Sequence, residues 1–324
     1  MATMVIGGNG YVGSHVLRQL VHKGETPICY DIAPPSPLWA DMTDKIRMVH
    51  ADVLNATDLI RTIKELDVDR IVLLTSLVTF ASQRNPVKAC QLNIGSTLNV
   101  LEAARVVPLK RILYASSLAV YGRTPENLPL PENTARLPVS LYGSTKVFCE
   151  DLGVAYHQNY GVDFCAIRFP GMWGPGQGLI MAGKSTIYGS GKFADLVEKP
   201  ARGQKALLPG IKQKYELLYV KDARDLVYRL LLADTLKHLV YNAGNEAMCS
   251  LQEVAGWLRS LLPAVEIEFD ESVEFPEGYD FAMPCGNHLD ITRAKKELGY
   301  FPRYKPPEAL KDYLRYLGRA DFER

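Results

Sequence analysis

Thr3-Met4-Val5-Ile6-Gly7-Gly8-Asn9-Gly10-Tyr11-Val12-Gly13 is the stretch on which the fold turns. Thr3 to Ile6 is a short apolar, strand-like run, and the glycines at 7, 10 and 13 form G-x-x-G-x-x-G. Val12, Val16, Leu17, Leu20 and Val21 then recur at helical spacing up to Gly24. Strand, glycine turn and helix in that order give the glycines a physical meaning. Gly7 permits a tight turn, Gly10 lets backbone N–H groups approach a pyrophosphate, and Gly13 lets helix and strand pack closely, while the helix N-terminus faces the negative charge. Thr26-Pro27-Ile28-Cys29-Tyr30 reads as a second strand ending in Asp31, 18 residues after Gly13. A carboxylate there accepts both adenosine ribose hydroxyls and repels a 2′-phosphate, and no Arg or Lys follows until Lys45, which favours NAD over NADP. A plain turn residue is the competing reading of Asp31.

The pattern continues outward. Ile46 to Val53 looks like a third strand, with Asp52 placed to reach an adenine amino group, and Asp58 to Leu66 makes a helix. Arg70-Ile71-Val72-Leu73-Leu74-Thr75-Ser76 is an apolar fourth strand covered on both sides. Pro86 opens a long amphipathic helix, and Arg111 to Ser117 is a fifth strand ending in hydroxyls. Val162 to Phe169 is a sixth strand, and Leu239 to Ala243, after a helix over Ala223–Ala233, is a seventh. This alternation implies an α/β fold, a Rossmann-type doubly wound parallel sheet of about seven strands with its ligand at the carboxyl strand ends. After Pro170-Gly171-Met172-Trp173-Gly174-Pro175-Gly176-Gln177-Gly178 the composition shifts to Gly and Lys through Gly210, the first departure from that core. Further helices are read at Leu251–Leu262, at Asp290–Tyr300 with a terminating glycine, and at Pro306–Leu317.

Leu141-Tyr142-Gly143-Ser144-Thr145-Lys146 opens a helix near Ser140, so Tyr142 and Lys146 share a face, about 6 Å apart along the axis. A phenol beside a fixed positive charge is a candidate for a lowered pKa, and a shift of roughly three units needs about 4 kcal/mol of differential electrostatics. Such a tyrosine takes a proton from an alcohol or returns one to a ketone. Packing for the tyrosine and solvation for the lysine is the bland alternative, so company decides. Ser116 and Ser117 supply it at the carboxyl end of the fifth strand. A serine hydroxyl on a substrate oxygen beside Tyr and Lys is a complete alcohol–ketone apparatus; a strand-end cap is the other reading of Ser117.

Bulk composition excludes several classes. The 324 residues are 47% hydrophobic, enough for one large core or two moderate ones. With 37 basic and 36 acidic side chains the net charge is +1, leaving no electrostatic footprint for nucleic acid and no obvious attraction to acidic membranes. No apolar run reaches membrane-spanning length. Cys29, Cys90, Cys149, Cys165, Cys249 and Cys285 are scattered, without C-x-x-C pairs or a neighbouring His cluster, and read as buried free thiols rather than metal ligands. A cytoplasmic protein is expected.

Taken in order, Gly7-x-x-Gly10-x-x-Gly13, Asp31, Asp52-Val53, Asn93-Ile94-Gly95-Ser96-Thr97, Ser116-Ser117-Leu118-Ala119-Val120-Tyr121-Gly122, Tyr142-x-x-x-Lys146, Trp173-Gly174-Pro175 and Tyr219-Val220-Lys221-Asp222 resemble the extended short-chain dehydrogenase/reductases, the NAD-dependent epimerase/dehydratase family. The resemblance implies an NAD-binding domain of residues 1–170 plus about 215–248, and a smaller substrate domain of about 171–214 plus 249–324. It implies Ser117, Tyr142 and Lys146 as catalytic groups. The cofactor contacts it implies are Gly7, Gly10, Tyr11, Val12, Gly13, Asp31, Asp52, Val53, Leu74, Thr75, Ser76, Asn93, Tyr142, Lys146 and Phe169. Substrate contacts are expected at Ser117, Gly171, Met172 and Trp173, and a homodimer through the helices Pro86–Val106 and Tyr142–Tyr160.

Departures from the family pattern narrow the chemistry. Dehydratases of this family carry an Asp-Glu pair where Leu118 and Ala119 stand here, so a 4,6-dehydratase is disfavoured. Sugar-nucleotide epimerases show Arg-x-x-Asn where this chain has Arg168-Phe169-Pro170-Gly171, an Arg near Tyr215-Glu216, and another within 281–288; each lost charge-assisted contact removes roughly 1.5–3 kcal/mol. Lys184, Lys192, Lys199 and Lys205 are nearby compensations or a solvated face. The leading expectation is an NAD-dependent oxidoreductase acting on a secondary alcohol of a small substrate. The runner-up is a sugar-nucleotide epimerase that retains NAD, and the third is a silent NAD sensor or scaffold. Residues 183–192 read as a lid or as an ordinary surface loop. His15, His157 and Trp257 read as packing residues.

Overall fold

Both faces of the large sheet are apolar, and that dictates its layering. The computed structural model describes residues 2–122, 124, 129–181, 191–210, 214–272 and 287–318. Its strands are β1 (Ala2–Ile6), β2 (Ile28–Asp31), β3 (Arg47–His50), β4 (Val68–Leu73), β5 (Arg111–Ser117), β6 (Phe164–Phe169), β7 (Gly171–Trp173), β8 (Ala206–Pro209), β9 (Tyr215–Tyr219), β10 (Val240–Asn242), β11 (Met248–Cys249) and β12 (Ile267–Asp270). The helices are α1 (Tyr11–His22), α2 (Ala56–Glu65), α3 (Thr79–Arg84), α4 (Pro86–Val106), α5 (Leu141–Tyr160), α6 (Gln177–Met181), α7 (Gly191–Ala201), α8 (Val220–Leu232), α9 (Leu251–Leu261), α10 (Thr292–Leu298) and α11 (Pro306–Tyr316). Lys184, Cys285, most of the stretch 183–192 and most of the 281–288 segment lie outside the described residues.

Seven parallel strands pair in the order β10-β6-β5-β4-β1-β2-β3. Val5, Leu113, Cys165 and Ile167 point to one side, into a core shared with α1, α8 and α10. Met4, Ile6, Ile112, Tyr114, Phe164 and Ala166 point to the other, against α2, α4 and α5. Period-two alternation with apolar residues at both phases is what a sheet covered on both sides requires. The chain winds outward from β1 to β3, returns to β4, and winds outward the other way. The carboxyl ends of β1 and β4 therefore flank the crevice where strand order reverses. The ladder closes at Leu73, with a last N–H from Leu74 to the Ile6 carbonyl (2.9 Å), so Thr75 and Ser76 run past the sheet toward that crevice.

A second core lies under the sheet β11-β9-β7 and the pair β12-β8, enclosed by α7, α9 and α11. β7 and β9 are its shared wall with the first core. Trp173, Leu217 and Tyr219 face the second core, whereas Met172 and Leu218 face the first. β9 pairs with β7 and β11 outside the seven-stranded sheet, and Ile291, Ala294 and Tyr300 around α10 pack on the large sheet's core.

Helix α5 begins where the sequence places it. The Ser140 hydroxyl accepts from Gly143 N–H (3.1 Å), and the helix ends on Gly161 at φ +70°. At its third position a Cβ would stand 2.4 Å from the Ala119 carbonyl oxygen, so only glycine lets the helix meet the turn after β5. Gly143→Ala is expected to lower stability by roughly 1–3 kcal/mol, the cost of overpacking, read as a lower urea midpoint at unchanged m-value.

Glu216 on β9 is a buried carboxylate that accepts N–H bonds from Asn245 (2.8 Å), Glu246 (3.1 Å) and Leu289 (2.8 Å), joining three chain segments. Burial pushes its pKa from 4.5 up to about 7, while those N–H groups pull it down. The folded chain therefore holds this proton more tightly than the unfolded chain. The group's contribution to stability is full below about pH 4.5 and is lost as pH rises through 7. Unfolding free energy is expected to fall by on the order of 3 kcal/mol from this group between pH 4.5 and 8. In Glu216→Gln that part of the pH dependence is absent, which urea titrations at the two pH values measure.

Candidate active site

The carboxyl ends of β1, β4, β5 and β6, with the starts of α1 and α5, enclose one cavity of about 360 Å³. Gly7, Gly10, Tyr11, Val12 and Gly13 line it from the first turn, Leu74 and Ser76 from the end of β4, and Ser117 from β5. Tyr142 and Lys146 line it from α5, and Phe169, Gly171 and Met172 from the passage between β6 and β7. Residues separated by more than 130 positions are thus brought together by strand order alone.

Of the two adjacent serines, Ser116 is committed: its hydroxyl donates to Glu150 (2.5 Å). Ser117 accepts from Ala119 N–H (3.2 Å) as it starts a short 3-10 turn, Leu118–Val120, and its hydroxyl also engages the Tyr142 phenol. Burial pushes Tyr142 up to about 12, and hydrogen bonding from Ser117 and then Ser76 pulls it down. Lys146 is buried as well. Burial lowers it to about 8, its Nζ donates to the Ala115 carbonyl (2.6 Å), and it lies 5.4 Å from the centre of the Tyr142 ring. The expectation of a phenol acidified by its lysine is therefore corrected for the chain itself: burial outweighs the hydrogen bonds to the phenol, and both groups move toward neutrality.

The glycine turn has the shape of a phosphate cradle. No side chain caps the start of α1, whose N-cap is Gly10, so its first N–H groups remain available. A Cβ on Gly13 would sit 2.3 Å from the Gly7 carbonyl oxygen, so the helix and turn meet backbone to backbone. At the end of β2 the Asp31 carboxylate accepts from Asn9 N–H (2.9 Å) and Ala33 N–H (2.9 Å) and keeps further lone pairs. Asp52 accepts from Leu54 N–H (2.9 Å), and the Val53 carbonyl accepts from Asn99 (2.9 Å). An uncapped helix start, a cradle that any Cβ would fill and a carboxylate one strand away fit a dinucleotide. Thr75 packs against Gly7. Asn93 stands behind the lining: it accepts from Leu77 N–H (2.7 Å) and donates to the Leu77 carbonyl (3.1 Å) and Thr145 (3.1 Å), holding the segment that carries Ser76.

Trp173, expected at the substrate, is instead fully enclosed in the second core, its ring against Tyr219, Phe193 and Tyr313. Alternation along β7 explains this: Met172 faces the cavity, so its neighbour must face away. Leu118 and Ala119 line the cavity and bring no acid or base. Four lining residues had no signal in the sequence. Val78, Thr79 and Phe80 arrive on and just before the short helix α3. Gln177 donates to the Met172 carbonyl (3.1 Å), and its buried Oε1 has no partner among the described residues. His15 is a packing residue; burial lowers it to about 4, and its ring Nε2 lies 2.9 Å from the Pro175 carbonyl.

Comparison with known proteins agrees with this geometry. An uncharacterized epimerase/dehydratase of Staphylococcus epidermidis is 24% identical over 99% of this chain and 98% of its own. Among solved structures, L-threonine dehydrogenase from Cupriavidus necator superimposes with a TM-score of 0.85 at 23% identity, covering 98% of this chain and 100% of that one. UDP-glucose 4-epimerase from Thermotoga maritima gives 0.84 at 22% identity, covering 98% and 99%. The model of the NAD dependent epimerase/dehydratase family matches residues 3–244, so with its Rossmann-type sheet, glycine cradle and NAD as cofactor this chain belongs to that family.

Proposed function

We propose that the protein is an NAD-dependent oxidoreductase that interconverts a secondary alcohol and a ketone on a small substrate, sugar-like or another hydroxy compound. The observation that carries this reading is the meeting of the Tyr142 phenol and the Ser117 hydroxyl on the wall of the cavity that also receives Lys146 and the glycine turn. NAD, when bound, supplies the position that accepts or returns hydride. The Gly7–Gly13 turn and the start of α1 hold its pyrophosphate, Asp31 takes the adenosine ribose, Asp52 and Val53 flank the adenine, and Lys146 takes the nicotinamide ribose. Ser117 donates to the substrate oxygen. Tyr142 gives that oxygen a proton in the reductive direction and removes it in the oxidative one. Leu118, Phe169 and Met172 keep water from the oxygen, which strengthens both hydrogen bonds.

Among the described lining residues Lys146 is the one charged group, and no guanidinium is offered to a diphosphate there. This supports a small substrate, as does the shared fold of proteins named for L-threonine. The structures named for UDP-glucose mark epimerisation as the competing outcome. Leu118 and Ala119 disfavour a 4,6-dehydratase. The segments around the second core serve as the substrate-binding domain. A homodimer forms on the outer faces of α4 and α5, where Val87, Phe148 and Tyr160 are exposed.

A thermal-shift screen of sugars, sugar acids, sugar nucleotides and small hydroxy compounds with NAD present finds the substrate. A dehydrogenase then yields NADH in step with product, whereas an epimerase keeps its NAD and shows no net reduction. Tyr142→Phe is expected to lower turnover by roughly 10²–10⁴-fold with NAD affinity unchanged by calorimetry; turnover at the parent rate refutes the assignment. Asp31→Ala is expected to weaken NAD by roughly tenfold or more while turnover at saturating NAD holds.

A further inference from the structure

One buried carboxylate on α5, the helix of Tyr142 and Lys146, reaches both β5, which carries Ser117, and β6. Glu150 lies on α5, one turn beyond Lys146 and two beyond Tyr142, on the same face. Its Oε1 accepts from the Ser116 hydroxyl (2.5 Å) and Arg168 Nε (2.9 Å), and its Oε2 from Arg168 Nη2 (2.7 Å) and Arg136 Nη1 (3.2 Å). Ser116 precedes Ser117 on β5. Arg168 pairs with Ser116 in the β5–β6 ladder and precedes Phe169, where the chain enters the cavity wall. The remaining nitrogen of the guanidinium is used as well: Nη1 donates to the Tyr121 oxygen (2.8 Å) and the Glu132 carbonyl (2.9 Å). Compared with an apolar pair of the same shape, an ion pair this deep adds little net stability. What it adds here is geometry and charge.

We propose that Glu150 is a positioning residue of the proton-transfer site, setting α5 against the ends of β5 and β6 and placing a negative charge one helical turn from Lys146. Burial works against the ammonium form of Lys146, and Cys149 and Glu150 work for it. Lys146 is faced by Tyr114 from β5, 4.6 Å from Nζ to ring centre, by the Ala115 carbonyl, and by Tyr142 and Cys149 of its own helix. Glu150 is faced by Ser116 from β5, Arg168 from β6 and Arg136 from the segment before α5. With the Glu150 charge removed, burial is less opposed, and Lys146 loses its proton at lower pH.

The inference rests on the proton-transfer reading, and its test needs no substrate, so either can fail alone. The full chain with NAD bound is labelled with ¹³C at lysine Cε, the Lys146 signal is assigned by Lys146→Arg, and its titration is followed by NMR. Glu150→Gln alone strands a buried guanidinium. The variants are therefore Glu150→Gln with Arg168→Met, which removes both charges, and Glu150→Asp, which keeps the negative one. Lys146 is expected to titrate roughly half a pH unit or more lower in the double variant and near the parent position in Glu150→Asp. A folded double variant in which Lys146 titrates as in the parent overturns the proposal, and so does a Glu150→Asp protein displaced as far as the double variant. Parent turnover in Tyr142→Phe would refute the proton-transfer reading and leave this titration untouched.

Discussion

The site depends on two contacts in which one partner has no side chain. Helix α1 begins Tyr11-Val12-Gly13 and helix α5 begins Leu141-Tyr142-Gly143, and in each the third residue abuts a carbonyl, of Gly7 and of Ala119. A Cβ at either place would fall within 2.5 Å of that oxygen, so each helix start lies directly on the turn that follows a strand. The first contact shapes the phosphate cradle. The second, beside Ser117 and carrying Tyr142 on the neighbouring residue, sets how far the phenol stands from the serine. Backbone contacts of this kind do not relax by rotamer change, which suits groups whose chemistry tolerates little error in distance.

Burial then acts against the chemistry and must be offset. An enclosed cavity strengthens hydrogen bonds to a substrate oxygen, but the same low dielectric pushes Tyr142 up to about 12 and Lys146 down to about 8. Near neutral pH the chain thus presents a neutral phenol beside an ammonium close to its own titration range. That state is poised to donate a proton. In the proposed reaction, accepting one asks for positive charge beyond what Lys146 brings, so the oxidative direction would ask more of the electrostatics than the reductive one. Glu150 is the one buried carboxylate among the described residues that bears on this balance from the helix itself, and it is anchored on the opposite side by Arg168.

What was legible in the sequence was local. The seven strands and the helices that cover them announce themselves by period and by turn residues, and each functional motif sits at a strand end or a helix start, where neighbours in sequence are neighbours in space. Ser117 and the Tyr142–Lys146 pair, which meet on one cavity wall, could be singled out for that reason. Trp173 could not: a three-residue strand gives no phase, and which of Met172 and Trp173 faces the cavity is decided by β9, more than forty residues away. Thr79, Phe80 and Gln177 come from short elements without a periodic signal. The lowered acidity of Tyr142 is likewise invisible to spacing, because burial is a property of the assembled cavity.

The shared wall has a consequence for specificity. Met172 and Trp173 are adjacent, one on the cavity and the other locked among Tyr219, Phe193 and Tyr313 in the second core. Gln177 and Gly178 are adjacent too. The first lines the cavity with an unpartnered oxygen, and the second donates its N–H to Glu198 (3.1 Å), which also accepts from Tyr313 (2.6 Å). The cavity's substrate side is therefore held at two points by the packing of α7, β9 and α11, while Ser117, Tyr142 and Lys146 are held by α5, β5 and β6. A change in the second core reaches the wall through a single peptide unit and leaves Ser117, Tyr142 and Lys146 where they are.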